Sequence, residues 1–107
     1  MGSKASSKGR PDTVAAAIAL PADCRLGALD ALAPQLREAA RGSAATLDGA
    51  AVEKVDGVAM QLLVAFRRAA AAGTCAVTWS AASDVLREAS SLLGLDGELD
   101  LPAARPA

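Results

Sequence analysis

Phe66 and Trp79 are the only aromatic residues in this chain, and that scarcity constrains the fold more than any other feature. A core without large rings must be filled by Leu, Val and Ala, with helices and strands drawn close together at the many alanines. Hydrophobic residues make up 52% of the 107 positions, enough for one small domain with a modest core.

Charge is nearly balanced but unevenly placed. Lys4, Lys8 and Arg10 precede Pro11 with no acid among them, and the other eight basic and all twelve acidic residues leave the remainder at net −4. The Gly/Ser-rich basic stretch reads as a flexible leader over residues 1–12. Past it there is no clustered basic face of the kind a nucleic-acid surface needs, so no nucleic-acid partner is expected. The leader lacks the apolar run of a signal peptide, and no segment reaches the roughly 20 apolar residues of a membrane span. A cytoplasmic chain with no direct membrane insertion is the expectation. Cys24 and Cys75 lie far apart in a chain without histidine. A buried thiol is expected at Cys75, and neither a disulfide nor a metal site for the pair.

Punctuation and periodicity divide residues 13–101 into alternating strands and helices, followed by a tail over 102–107. Thr13 to Leu20 reads as a buried strand bounded by Pro11 and Pro21, and residues 21–25 as a connector. Leu29, Leu32, Leu36, Ala39 and Ala40 form the apolar stripe of a helix stopped by Gly42, which starts close before Pro34 or kinks there. Ala44 to Leu47 is a short strand, with a turn at Asp48-Gly49 and a lead-in over residues 50–55. A helix then runs from Gly57 to Ala72 with Asp56 as its N-cap. Val58, Leu62, Leu63, Phe66, Ala69 and Ala70 are expected to face the sheet, with Gln61, Arg67 and Arg68 toward solvent. Thr74 to Trp79 is the most β-like segment. Ser83 caps a last helix whose inner stripe is Leu86, Ala89, Ser90 and Leu93. Residues 95–101 add a terminal strand or pack the C-terminus. The order βαβαβα describes an α/β domain, a small sheet with helices packed on it.

The chemistry available is sparse. Without histidine, nucleophile triads and imidazole acid/base work are excluded, and there is no phosphate-binding loop or dinucleotide fingerprint. No enzyme activity, cofactor or metal is expected. Glu53 and Asp56 straddle a loop-to-helix junction with Lys54 between them, and Asp84/Glu88 and Asp96/Glu98 read as solvated charges. Arg67-Arg68 is the one adjacent basic pair in the body of the chain, suited to solubility or to docking a partner.

The segment Asp56-Gly57-Val58-Ala59-Met60-Gln61-Leu62-Leu63, with Gly73 to Trp79, Ser83 to Ala89 and Leu92-Leu-Gly-Leu95 in the same order, resembles the STAS domain family over residues 13–101. That family includes bacterial anti-anti-sigma factors, the small subunit of phospholipid-transport complexes and sulfate-transporter tails. The resemblance implies a mixed β-sheet with helices packed on it and a protein-docking surface at the turn before the central helix. By position, Asp56 matches the family's aspartate, Gly57 its first hydroxyl residue, Val58 the phosphoacceptor, Ala59 the glycine and Met60 the leucine. Val58 has no oxygen to phosphorylate, so the usual charge switch is missing. Ser43, Ser80, Ser83, Ser90 and Ser91 are elsewhere. What the resemblance leaves is a docking surface over Asp56, Gly57, Ala59 and Met60, extended by Glu53, Lys54, Gln61, Arg67 and Arg68. The implied partner is a protein: a kinase or anti-sigma-like regulator in a chemotaxis, histidine-kinase or sigma-factor pathway. The alternative is the ATPase of a phospholipid transporter, and a homodimer stays open.

Overall fold

The alternation of apolar and small polar residues in the strands sorts one face of a sheet toward helices and leaves the other bare. In the computed structural model, which describes residues 15–102, strands β1 (Ala15–Ala19), β3 (Ala44–Gly49) and β5 (Ala76–Ala82) form a three-stranded sheet in the order β1-β3-β5. Strands β2 (Asp23–Cys24) and β4 (Lys54–Val55) form a separate two-residue bridge. Every pair is parallel, so each return is made by a helix: α1 (Leu29–Ala40) between β1 and β3, and α2 (Gly57–Ala72) between β3 and β5. α3 (Asp84–Leu92) and the short α4 (Asp96–Leu99) follow. The expected strand–helix alternation of an α/β domain is the one observed. The leader, Thr13, Val14 and residues 103–107 lie outside the described residues.

Both crossovers step in the same direction across the sheet, and α1 and α2 pack against one another over one face. Ile18, Leu20, Ala45, Leu47 and Cys75 point into that layer, where they meet Leu32, Leu36, Met60, Leu63, Phe66 and Leu86. The opposite face carries Ala17, Ala19, Asp48, Ala76, Thr78 and Ser80, all exposed. Phe66 is buried in the core, while Trp79 is only partly buried and donates from Nε1 to the Leu99 carbonyl at 3.0 Å. That bond, with Leu99 fully buried, packs the C-terminal segment as α4 rather than as a strand.

Several local expectations need correction. Strand β3 runs on through Gly49 and strand β5 through Ala82, because the ladder shifts register at Leu47/Asp48 and continues as Asp48↔Ala81 and Gly49↔Ala82. The extra residue, Ser80, turns its hydroxyl to the Leu47 carbonyl at 3.4 Å. In α2 the buried stripe is Ala59, Met60, Leu63, Val64, Phe66 and Ala70, whereas Val58 and Ala69 are exposed. α2 is apolar on nearly every side, so its composition does not select the inner face, and packing does. Arg67 does not lie free in solvent: it is partly buried and donates to the Val77 carbonyl at 3.2 Å. Leu93, assigned to the inner stripe of α3, follows the last helical residue and is half exposed. Pro34 sits inside α1, in its second turn, with five helical residues ahead of it.

Two consequences for stability follow. A Cβ at Gly49 would lie 2.6 Å from Leu86 Cδ2 and 3.2 Å from Trp79 Cζ3, so Gly49→Ala should cost about 1–3 kcal/mol in denaturant titration. Combined with Leu86→Ala, which removes the nearer clash, the loss should be clearly less than additive; additive losses would show that the contact does not constrain the sheet. Pro34 is exposed and lacks the N–H that would bond the Asp30 carbonyl. Pro34→Ala should therefore raise the unfolding free energy by about 1–3 kcal/mol, measured the same way.

Candidate functional site

In a parallel sheet joined by helices, the N-termini of all the crossover helices gather at the carboxyl ends of the strands, the end where α/β sheets present their sites. Here that end is closed by the loop after β1 and the loop after β3, tied together by the β2–β4 bridge. The Ala22 carbonyl accepts from Glu53 N at 2.8 Å and Lys54 N at 3.0 Å, and Ser83 N donates to the Gly49 carbonyl at 3.0 Å.

Asp56 sits at the centre of this end. It holds an extended conformation (φ −125°, ψ 175°) as the N-cap of α2. Its Oδ1 accepts from Ala59 N at 2.9 Å, satisfying one of the unpaired amides of the first turn. Its Oδ2 accepts from Leu26 N at 2.8 Å, thirty residues earlier in the chain. One carboxylate thus joins α2 to the 3-10 turn Leu26–Ala28 that leads into α1. The Ala59 and Leu26 amides, in that order, hold the Asp56 carboxyl below the usual carboxylate range, and the nearby Arg25 charge adds to the effect. Asp56 is therefore ionised and a weak base at neutral pH.

Beside it lies a shallow cleft of ≈ 540 Å³ lined by Asp23, Arg25, Leu26, Gly27, Ala28 and Asp56. Asp23 and Arg25 form a two-pronged pair, with Nε to Oδ1 at 2.7 Å and Nη2 to Oδ2 at 2.9 Å. The hydrogen bonds from Arg25 lower the Asp23 carboxyl, and those to Asp23 raise the guanidinium. Beneath them Cys24 is fully buried, and burial, reinforced by the charges of Asp56 and Asp23, pushes its thiol up. Cys75 is also a buried free thiol, and donates to the Ala39 carbonyl at 3.4 Å.

The outer surface of this end is apolar at two points: Leu26 is 62% exposed and Val58 51%. Gly57 is exposed, and a Cβ there would meet nothing within 4 Å. Glu53, Lys54 and Gln61 are exposed as well. Ala59 and Met60, expected to contact a partner, are buried at 1% and 0% exposure and are removed from the surface. Inward packing of the first turn of α2 against the sheet leaves only Gly57, Val58 and Gln61 outside. Arg67 is occupied at the edge of β5, and Arg68 pairs with Glu98 at 3.1 Å, away from the cleft. Two more of the acids assigned to solvent have structural bonds, Asp96 accepting from Ser90 at 2.7 Å and from Ser91, and Asp84 pairing with Arg87, while Glu88 is exposed.

Asp23, Arg25 and Leu26 were not legible as site residues. They fall in a two-residue bridge and the start of a three-residue 3-10 turn, both too short to carry a period, and nothing local signals the long-range bond to Asp56. Among the described residues no group of three or more Cys, Asp or Glu side chains could hold a metal ion, and no helix is long and apolar enough to cross a membrane. No family model, curated protein or solved structure matches the chain.

Asp56→Ala removes both acceptors, so hydrogen exchange should accelerate at the Leu26 and Ala59 amides together and the melting temperature should fall by a few degrees. Ser83→Ala, which removes only the cap bond from Leu86 N at 3.1 Å, should speed Leu86 alone. Because the folded Asp56 carboxyl is depressed, its contribution is fully present above the unfolded value near about 3.9 and is lost as pH falls through the folded one. The stability gap between the native chain and Asp56→Asn should thus narrow on acidification below pH about 4.

Proposed function

We propose that this chain is a non-catalytic, cytoplasmic protein-interaction module of STAS type in a bacterial signalling system, of chemotaxis, histidine-kinase or anti-sigma kind, which docks its partner without phosphorylation at the usual position. The observation that carries this reading is the pair of exposed apolar residues, Leu26 and Val58, held on either side of the Asp56 carboxylate at the carboxyl end of the sheet. Val58 stands where the resemblance expects the phosphoacceptor. A half-exposed valine there offers contact area and no chemistry. Both oxygens of Asp56 are taken by backbone amides, which suits a positioning role more than a catalytic one. The shallow cleft is lined by no hydroxyl or thiol side chain, the Cys24 thiol being fully buried, and both of its carboxylates are already hydrogen-bonded.

A photo-crosslinking residue at position 58, introduced into the full chain in its native cytosol, should capture one protein. The same residue at position 41, on a side chain 80% exposed at the far end of α1, should not. Val58→Lys should weaken the captured complex by about tenfold or more in a binding titration while leaving the melting temperature unchanged, because the side chain is outside the core. Equal capture from both positions, or full affinity in Val58→Lys, would remove this face as the docking site.

A further inference from the structure

The segment that carries α4 is docked on the rest of the molecule through its own contacts and hinged on one glycine. α4 packs on α2 and on α3. It is anchored by the fully buried Leu99, by the Trp79 indole on the Leu99 carbonyl at 3.0 Å, by Arg68 on Glu98 at 3.1 Å and by Ser90 on Asp96 at 2.7 Å. Gly94, at φ 71°, separates it from α3. There Leu95 N donates to the Ser90 carbonyl at 2.8 Å and Gly94 N to the Ser91 carbonyl at 3.2 Å, the bond pair that closes a helix on a left-handed residue. A Cβ at Gly94 would meet nothing within 4 Å, so this turn depends on backbone conformation and not on packing. Straightening it would move each of the two amides to the other's acceptor, the ordinary helical pairing, and would lose neither bond. The apolar spacing already runs through the glycine, since Leu92, Leu95 and Leu99 fall at i, i+3 and i+7. Beside the hinge, Leu92 is 85% exposed and Leu93 50%.

We propose that the α4 socket and the hinge leucines together form an interface for a second copy of this chain, made by exchange of α4. With Gly94 helical, α3 and α4 become one helix from Asp84 to Leu99, and Leu99 enters the socket of the other copy. The occupant fits because the same segment is already seated there: Leu99, Glu98 and Asp96 meet Trp79, Arg68 and Ser90 across copies as they do within one. Leu92 and Leu93 fall at the middle of the joined helix, where the two copies cross at the dyad and cover one another's leucines. The contacts of α4 are equal in the two states, so the balance turns on the hinge and on burial of these leucines, and the dimer grows with concentration. This interface is separate from the Leu26–Val58 face and does not depend on it.

Two full-length variants, Arg68→Cys and Glu98→Cys, refolded together at high protein concentration and then oxidised by air, test the exchange; the native thiols of Cys24 and Cys75 are buried and do not compete. A mixed disulfide joining one copy of each variant is expected, because exchange sets position 68 of one chain beside position 98 of the other. Sedimentation of the native chain should show a dimer that grows with concentration. Gly94→Ala, which disfavours the left-handed turn and favours the joined helix, should tighten that dimer by about tenfold or more. Leu92→Ser should weaken it several-fold and leave the melting temperature of the dilute chain unchanged. A chain that stays monomeric even as Gly94→Ala would overturn the proposal. So would a dimer without the mixed disulfide, which would mean that the leucines meet side by side with α4 left in place.

Discussion

The bond pair made by the Asp56 carboxylate is the constraint on which the rest of this end of the molecule depends. A parallel strand–helix–strand chain leaves its loops at the carboxyl end without a sheet ladder, so their backbone groups need partners from elsewhere. Here the β2–β4 bridge supplies two residues of ladder on each side, and Asp56 supplies acceptors for the Leu26 and Ala59 amides. The second oxygen makes the difference. A cap that only bonded Ala59 would fix α2 and leave the Leu26–Ala28 turn to find its own position. By accepting from Leu26 as well, the same side chain sets where α1 begins relative to α2, and with it the spacing of the two exposed apolar residues.

The strand–helix order was legible because it is written in local features. Leu32, Leu36 and Ala39 repeat at helical spacing and are buried, and Asp56 and Ser83 cap the helices they precede. What escaped reading is what depends on more than local pattern. α2 is apolar around most of its circumference, so no moment in its sequence says that Met60 and Val64 turn inward while Val58 turns out. The register shift in β5 depends on how Ser80 meets the Leu47 carbonyl across strands. The half of the candidate site in residues 23–26 depends on one bond spanning thirty residues, for which the only local hint, an aspartate before a helix, already had a sufficient explanation as a cap.

The small residues that make the core also set its tolerances. With Phe66 alone as a fully inserted ring, the helix layer approaches the sheet closely enough that Gly49 has no room for a methyl between Leu86 and Trp79. Leu86 belongs to α3 and Gly49 to β3, and Ser83 at the head of α3 bonds the Gly49 carbonyl. The start of α3 is therefore pinned to the same strand end from which the loop to Asp56 departs. The candidate site rests on this packed foundation, and only its outermost side chains are free to vary without disturbing the core.

That freedom bears on why Leu26 and Val58 are apolar at all. Single exposed hydrophobic residues are ordinary on protein surfaces and need no account. These two differ from the exposed Leu92 and Leu93 at the far end of α3, because one carboxylate bonds the backbone of Leu26 and that of Ala59, the residue after Val58. Neither is required by its local structure. Valine is a poor helix former and gains little core burial at its position in α2, and the 3-10 turn holds no buried residue. These two exposed side chains, flanking a carboxylate that the fold does need, are what the proposed docking face rests on.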